Sequence, residues 1–279
     1  MADKIEKAEN GFMETIKTVV YALLIAGIFR TLLFQPFWIP SGSMKDTLLI
    51  GDFLFVNKMA YGYSYASCPS IRIPQVGLDV DAEDFCGMFK GSNGRLFGGE
   101  PDRGDVVVFR HPVTGRDFIK RLVGLPGERI QMKQGVLHIN DVPVEIEPQE
   151  PFIETFELQG PLRGRPQCAN GVVGLGGQCI KERATETLPG GVAHSVLNIS
   201  TTSGDQTPAF IVPEGHYFFM GDNRDNSVDS RFPQSVGGVG FVPYEDLVGR
   251  ADRVIFSSAG TSILKFWTWR SDRFFKAIN

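Results

Sequence analysis

Only four histidines, His111, His138, His194 and His216, occur in the 279 residues. A Ser-His-Asp triad needs one of them beside a presented serine. His111 precedes a proline at a strand end, His138 alternates into a hairpin strand, and none lies in a stretch that reads as a catalytic turn. There is no His-Glu-x-x-His pair, and no cysteine sits in a Cys-x-x-Cys pair or near histidines at zinc spacing, so neither a metal site nor a cofactor is expected. A serine can also be activated by a neutral lysine. The ordinary lysine pKa of about 10.4 prevents this at pH 7, but desolvation lowers it by several units. The residue to look for is therefore a lysine inside an apolar strand. In DFIKRLVGL (117–125), period two puts Phe118, Lys120 and Leu122 on one face and Ile119, Arg121 and Val123 on the other. A guanidinium does not usefully lose its proton, which leaves Lys120 as the candidate base, although a strand lysine is commonly an edge gatekeeper.

Two stretches offer partners. IPSGSM (Ile39–Met44) follows an apolar run, and Ser41-Gly42-Ser43 has the small–any–small pattern of a signal-peptide cleavage site. The same letters read as an exposed turn presenting a serine. GDNRDNSVDSR (Gly221–Arg231) gathers Asp222, Asp225, Asp229, Arg224, Arg231 and Ser227. It reads as a solvated, salt-bridged turn or as a network fixing other catalytic groups. A calcium loop fails, because counting from Asp225 puts Ser230 at the glycine position and Val236 at the glutamate position. Local sequence leaves these readings open.

The elements that must carry these residues read mainly as strands. Hydrophobic residues make up 42% and charged residues 22% of the chain, an ordinary globular balance, and the net charge of −4 with no basic stretch argues against nucleic acid as a partner. Gly is abundant and long helix-period runs are scarce, which favours strands and turns. Residues 15–34, TIKTVVYALLIAGIFRTLLF, are the one membrane candidate. The uncharged stretch Thr18–Phe29 is shorter than the roughly 20 residues of a span, but Lys17 and Arg30 can snorkel and TLLF resumes the apolar run. A cleaved signal peptide or a buried helix are the other readings. Lys4, Lys7 and Lys17 before the run, against Arg30 and Lys45 after it, favour an inside N-terminus and an outside body. The four cysteines fit that location: Cys68 with Cys86 and Cys168 with Cys179 each close a short polar loop and read as two local disulfides, the alternative being four unrelated thiols.

The expected organisation is a cytoplasmic N-terminus (1–14), a transmembrane helix (15–34), a β core (35–149 and 214–262) with a surface insertion (61–103), an inserted β-rich subdomain (150–213), and a tail (263–279). That tail mixes Trp267, Trp269, Phe266, Phe274 and Phe275 with Lys265, Arg270, Arg273 and Lys276, which suits a membrane interface or a core helix with a basic outer face. IQMKQGVLHINDVPVEI reads as hairpins turning at Gln134-Gly135 and Asn140-Asp141.

PSGSM followed by TLLIGD, then GDVVVFRHP with FIKRLVGLPGE, then GDNRDNSVDSR with GFVP and LVGRA, in this order behind an apolar N-terminal run, resembles the bacterial type I signal peptidases. The resemblance implies an antiparallel-sheet peptidase core on one N-terminal transmembrane helix. It implies Ser43 as nucleophile, Lys120 as general base, Ser41 as an oxyanion donor beside the Ser43 N–H, and Ser227 as the residue orienting the lysine. Asp222, Asp229 and Arg231 match supporting positions. An extended preprotein would add as a strand beside the segments before Ser43 and Lys120, with Phe37, Ile39, Pro40, Phe118 and Ile119 lining shallow pockets for alanine-like side chains. In the family's frequent SGSMxPTL, proline precedes the threonine; here Asp46 stands in that place, which changes local stiffness but no catalytic group. Exported preproteins and the lipid bilayer are the implied partners. The implied location is the bacterial plasma (inner) membrane, single-pass, with the catalytic part on the outer side, and the chain is expected to act as a monomer. A self-cleaving Ser–Lys repressor would begin with a soluble helix-turn-helix, and a penicillin-interacting acylase needs Ser-x-x-Lys at the nucleophile; the sequence has neither. A membrane-anchored β binding module without catalysis is the remaining alternative.

Overall fold

The run Val106-Val107-Val108-Phe109 is apolar at every position, the mark of a strand buried on both faces. In the computed structural model, which describes residues 13–27, 33–68, 71–73, 77–80, 82–91, 95–260 and 262–278, this run is the middle strand of a seven-stranded sheet. The sheet comprises β1 (Phe34–Trp38), β2 (Asp52–Asn57), β5 (Val106–Arg110), β6 (Asp117–Gly124), β14 (His216–Met220), β15 (Val242–Pro243) and β16 (Leu247–Ser257), in the spatial order β1-β2-β16-β5-β6-β14-β15. Each strand pairs antiparallel with its neighbours. Period two then divides the core. Val106 and Val108 join Leu54, Val56, Ala251 and Val254 on one face, while Val107 and Phe109 join Leu122, Phe219, Val242 and Leu247 on the other. Each such buried side chain contributes about 1.5–3 kcal/mol.

A four-stranded sheet, β13-β7-β8-β9, covers a third apolar cluster. It is formed by β7 (Arg129–Lys133), β8 (Val136–Ile139), β9 (Val142–Pro143) and β13 (Phe210–Ile211). Its turns fall at the expected places: Gln134-Gly135 and Asn140-Asp141 all have positive φ, the geometry of tight hairpin turns. A three-stranded sheet follows, β10 (Glu145–Thr155), β11 (Gln178–Leu188) and β12 (Val192–Asn198). Residue 150 therefore lies within β10, and the subdomain boundary expected at 149/150 moves upstream of Glu145.

The segment expected as a surface insertion, 61–103, is anchored at both ends. Tyr61, Tyr65 and Ala66 are buried in the two core clusters. Arg95 donates to the carbonyls of Tyr61, Gly62, Tyr244 and Leu247 at 2.7–2.8 Å. Its described elements include the short pair β3 (Ile71–Ile73) and β4 (Leu78–Val80) and a helical turn (Ala82–Cys86). Disulfides join Cys68 to Cys86 and Cys168 to Cys179.

At the N-terminus, residues 13–27 are helical and exposed, and strand β1 begins at Phe34. The helix expected over 15–34 is corrected at that end, since Phe34 pairs with Asn57; residues 28–32 lie outside the described residues. No described helix is long and apolar enough to cross a membrane. The tail forms two short helical turns, Phe266–Thr268 and Ser271–Arg273, and no core helix. Its inner face docks on the sheet: Trp269 and Phe274 lie 4.9 and 5.2 Å from the Phe256 ring, and Arg273 forks onto Asp52 at 2.6 and 3.1 Å.

Candidate active site

Ser43 lies in a turn whose two ends are tied to each other. Ile39 N–H donates to Asp52 O and Gly51 N–H to Ile39 O, each at 2.9 Å, and Leu48 N–H closes onto Met44 O at 2.7 Å. The apolar residues Ile39, Met44 and Leu48 point into the core and hold the turn down. The 221–231 segment grips the turn from the side. Asn223 donates from its N–H to Ser43 O at 3.0 Å and from Nδ2 to Gly42 O at 2.9 Å. With these carbonyls engaged, the Ser43 N–H itself has no partner among the described residues. Gly221 is required here: a Cβ on it would fall 2.6 Å from Ser43 O and 2.3 Å from Ser227 Oγ.

Strand β6 brings Lys120 to this turn. Lys120 Nζ donates to Ser43 Oγ at 2.7 Å and to Ile119 O at 2.9 Å, and lies 5.6 Å from the centre of the Phe118 ring. Lys120 is 4% and Ser43 7% exposed. Among the described residues no carboxylate forms an ion pair with Lys120. Burial pushes its ammonium down to about 8, and the more distant charges of Asp229 and Asp222 only partly offset this.

The next residue on the strand is held in the opposite way. Arg121 is fully buried and donates from Nε to Asp222 Oδ1 at 2.9 Å and from Nη2 to Asp222 Oδ2 at 2.8 Å, with Nη1 on Gly104 O at 2.7 Å. Asp222 also accepts from Thr47 Oγ1 at 2.5 Å, which links the strand, the 221–231 segment and the end of the nucleophile turn. Burial raises the Asp222 carboxyl, but Arg121 outweighs it and the net pKa falls below the usual value. Asp229 repeats the pattern: burial raises it, while Arg231 and the Gly221 N–H bring it down. The reading of 221–231 as a solvated turn is thus overturned, because Asp222, Arg224, Asp229 and Arg231 are all buried and paired.

The other expected residues fall as follows. Ser227 Oγ is buried and makes no well-directed hydrogen bond, although it approaches the Asp229 carboxylate closely enough to help keep that group ionised. Ser41 and Pro40 are exposed at the lip of the site. Phe37 and Ile119 are half-buried against the cluster that contains Ile39, Met44 and Leu48. Ile39 itself is buried, so Phe37 and Ile119 carry the accessible apolar wall. Phe118 belongs to the opposite cluster, with His111 and Phe109 at 4.8 and 6.3 Å, which sets it apart from that wall. Among the described residues no strand pairs with the outer edge of β1, nor with residues 117–120 of β6 on the side away from β5. Two backbone edges, residues 35–38 and 118–120, that have no strand partner among the described residues therefore flank the Ser43–Lys120 pair.

Several groups escaped the sequence reading. Arg121, Thr47 and Asn223 organise the site, and the Asn226 amide lies against Gly42, where a Cβ would meet its Nδ2 at 3.2 Å. His194 is buried with Nε2 3.5 Å from Glu186 and 3.8 Å from Asp222, and burial pushes it down to about 4. A continuous buried stretch on β6, from Lys120 onward, was the one available signal for Arg121: an arginine with no exposed face demands a carboxylate.

A family model described as signal peptidase, peptidase S26, matches residues 12–256. The chain is 35% identical to the signal peptidase I of Rickettsia typhi over 262 residues, covering 90% of this chain and 83% of that protein. It is 37% identical to the signal peptidase I of Rickettsia akari over 246 residues, covering 85% and 77%. A crystal structure of a signal peptidase I from Enterococcus faecalis is 28% identical and covers 55% of this chain and 97% of its own, at a TM-score of 0.29, too low to bear on the fold. The chain belongs to the signal peptidase family, peptidase S26.

Proposed function

We propose that the protein is a membrane-bound serine endopeptidase that removes signal peptides from exported preproteins, with Ser43 as nucleophile and Lys120 as general base. The observation that carries this reading is the 2.7 Å contact between Ser43 Oγ and a buried lysine that no carboxylate neutralises. With a pKa near 8, roughly a tenth of the Lys120 side chains are neutral at pH 7, and the fraction rises with pH. The neutral amine takes the Ser43 proton as Oγ attacks the scissile carbonyl. The oxyanion forms beside the free Ser43 N–H, with the Ser41 hydroxyl as second donor; one such donor is worth about 3 kcal/mol. Lys120 then protonates the leaving amine, and water takes the acyl group off Ser43. Ser227, whose hydroxyl lies beside Gly221 and makes no hydrogen bond to Lys120 in the resting site, would orient the lysine once substrate is bound.

The edges at residues 35–38 and 118–120, which have no strand partner among the described residues, support binding of an extended substrate by strand addition, with Phe37 and Ile119 against small side chains of an Ala-x-Ala site. The membrane reading rests on two exposed apolar surfaces: Val19, Val20, Tyr21, Leu23, Leu24 and Ile25 on the 13–27 helix, and Leu264, Phe266, Trp267 and Phe275 on the outer face of the tail. Together they would hold the Ser43 turn at the outer membrane surface with the N-terminus inside. The test is cleavage of a purified Ala-x-Ala preprotein by the intact chain, Ser43→Ala and Lys120→Ala. Release of the mature N-terminus by the intact chain alone is expected. Equal behaviour of all three would leave a binding module without catalysis.

A further inference from the structure

The two residues after Met44 are held by the inserted three-stranded sheet, and all three of its strands take part. Lys45 is 3% exposed; its ammonium donates to Glu154 Oε2 on β10 at 2.5 Å and to Gln159 Oε1, just beyond β10, at 2.8 Å. Glu154 is shared with the buried Lys181 of β11 and accepts from Gln159 Nε2 at 2.7 Å. Asp46 Oδ2 accepts from Arg183 Nη1 of β11 at 3.3 Å and from Ser195 Oγ of β12 at 3.2 Å. The Lys45 stem runs beneath the nucleophile turn, where a Cβ on Gly42 would meet its Cε at 3.4 Å and its Cδ at 3.5 Å. The Cys168–Cys179 bond ties the end of the β10–β11 connection to β11, two residues from Lys181.

The core fastens this turn at Ser43 O, through Asn223, and again at the Thr47 hydroxyl, through Asp222. Lys45 and Asp46 lie between those two points. A reacting group has to be held to within about 0.5 Å, and a 1 Å misplacement costs up to about a hundredfold in rate. The contacts to Glu154, Gln159, Arg183 and Ser195 hold the two residues between these fasteners and restrict how the turn can rock about them. The position where proline would stiffen the chain is occupied by Asp46, which instead takes two hydrogen bonds from this sheet.

We propose that the inserted sheet is a clamp on the nucleophile turn. In it Glu154 and Arg183 are positioning residues that act through Lys45 and Asp46 to set Ser43 Oγ on Lys120. The proposal rests on the Ser43–Lys120 reading above.

The test uses the full chain in detergent and a preprotein substrate, with Glu154→Gln, Asp46→Asn and the exchange of Asp46→Arg combined with Arg183→Asp. Glu154→Gln and Asp46→Asn are expected to lower kcat about 10- to 100-fold with KM within about twofold, at a temperature well below the unfolding transition of each. The pH midpoint of the rate stays that of the parent, because the surroundings of Lys120 are intact. The exchange recovers at least part of the kcat lost by Asp46→Asn, which a general loss of stability would not do. If Glu154→Gln fails to fold, Asp46→Asn at its half-exposed site carries the same test. A kcat within about twofold of the parent for the folded variants, or a loss confined to KM, overturns the clamp. Retained cleavage by Ser43→Ala is a different failure: it removes the dyad reading and the clamp with it.

Discussion

Lys120 and Arg121 are neighbours on one strand, both buried, and they face two regions built on opposite principles. Behind Arg121 every buried charge is matched: Arg121 with Asp222, Arg231 with Asp229 and Arg224 with Glu186. In front of Lys120 there is a serine hydroxyl, a carbonyl and an aromatic ring, and among the described residues no ion pair. A matched buried pair stays charged and holds its elements in register. An unmatched buried ammonium gives up its proton easily, and burial, only partly offset by the charges of Asp229 and Asp222, brings Lys120 down to about 8. On the proposed reading, the paired side is the frame and the unpaired side carries the chemistry.

The comparison breaks most sharply at the unpaired side. Ser43→Ala, Lys120→Ala and Lys120→Arg are each expected to reduce preprotein cleavage by at least about a thousandfold, with the unfolding transition nearly unchanged for Ser43→Ala. Lys120→Arg should also lower the unfolding transition, because a guanidinium buried at this unpaired site cannot give up its proton. On the paired side, Asp222→Ala strands the Arg121 guanidinium and should destabilise the fold by about 3–5 kcal/mol in denaturant titration, with cleavage falling as Thr47 loses its acceptor. A stability change under about 1 kcal/mol there would mean that the pair is not the frame.

Ser227 sits on the border between the two regions. Its hydroxyl is buried without a directed partner, so Ser227→Ala should leave stability within about 1 kcal/mol while kcat falls about tenfold and KM stays constant. An unchanged kcat would remove it from the site. The smallest effect on turnover is expected far from both. Replacing Cys68 and Cys86 by serine should cost about 3 kcal/mol of stability and leave the rate at 25 °C within about twofold.

What the sequence made legible follows from locality. Lys120 stood out because an apolar period-two strand puts a lysine where water is excluded, and the hairpin turns because Gln134-Gly135 and Asn140-Asp141 suit positive φ. The start of the inserted sheet was hidden: β10 is almost wholly exposed and carries four glutamates before Thr155, so its hydrophobic pattern is weak. The ion pairs were hidden by distance along the chain. Arg121 meets Asp222 across 101 residues and Lys45 meets Glu154 across 109, and nothing near either residue names its partner. The tail gave a mixed signal because it is two-sided, with Arg273, Trp269 and Phe274 turned to the sheet and Trp267 turned outward.

The central claim is that Lys120 works as a neutral amine because burial, with no carboxylate against it, lowers its pKa. The most direct measurement is kcat/KM for preprotein cleavage by the intact chain from pH 5 to pH 10. The base is neutral above its pKa, so the rate should rise with pH, about tenfold per unit below a midpoint near 8, and level off above it. A profile that stays flat down to pH 5 would contradict a lysine base and with it the account of the site.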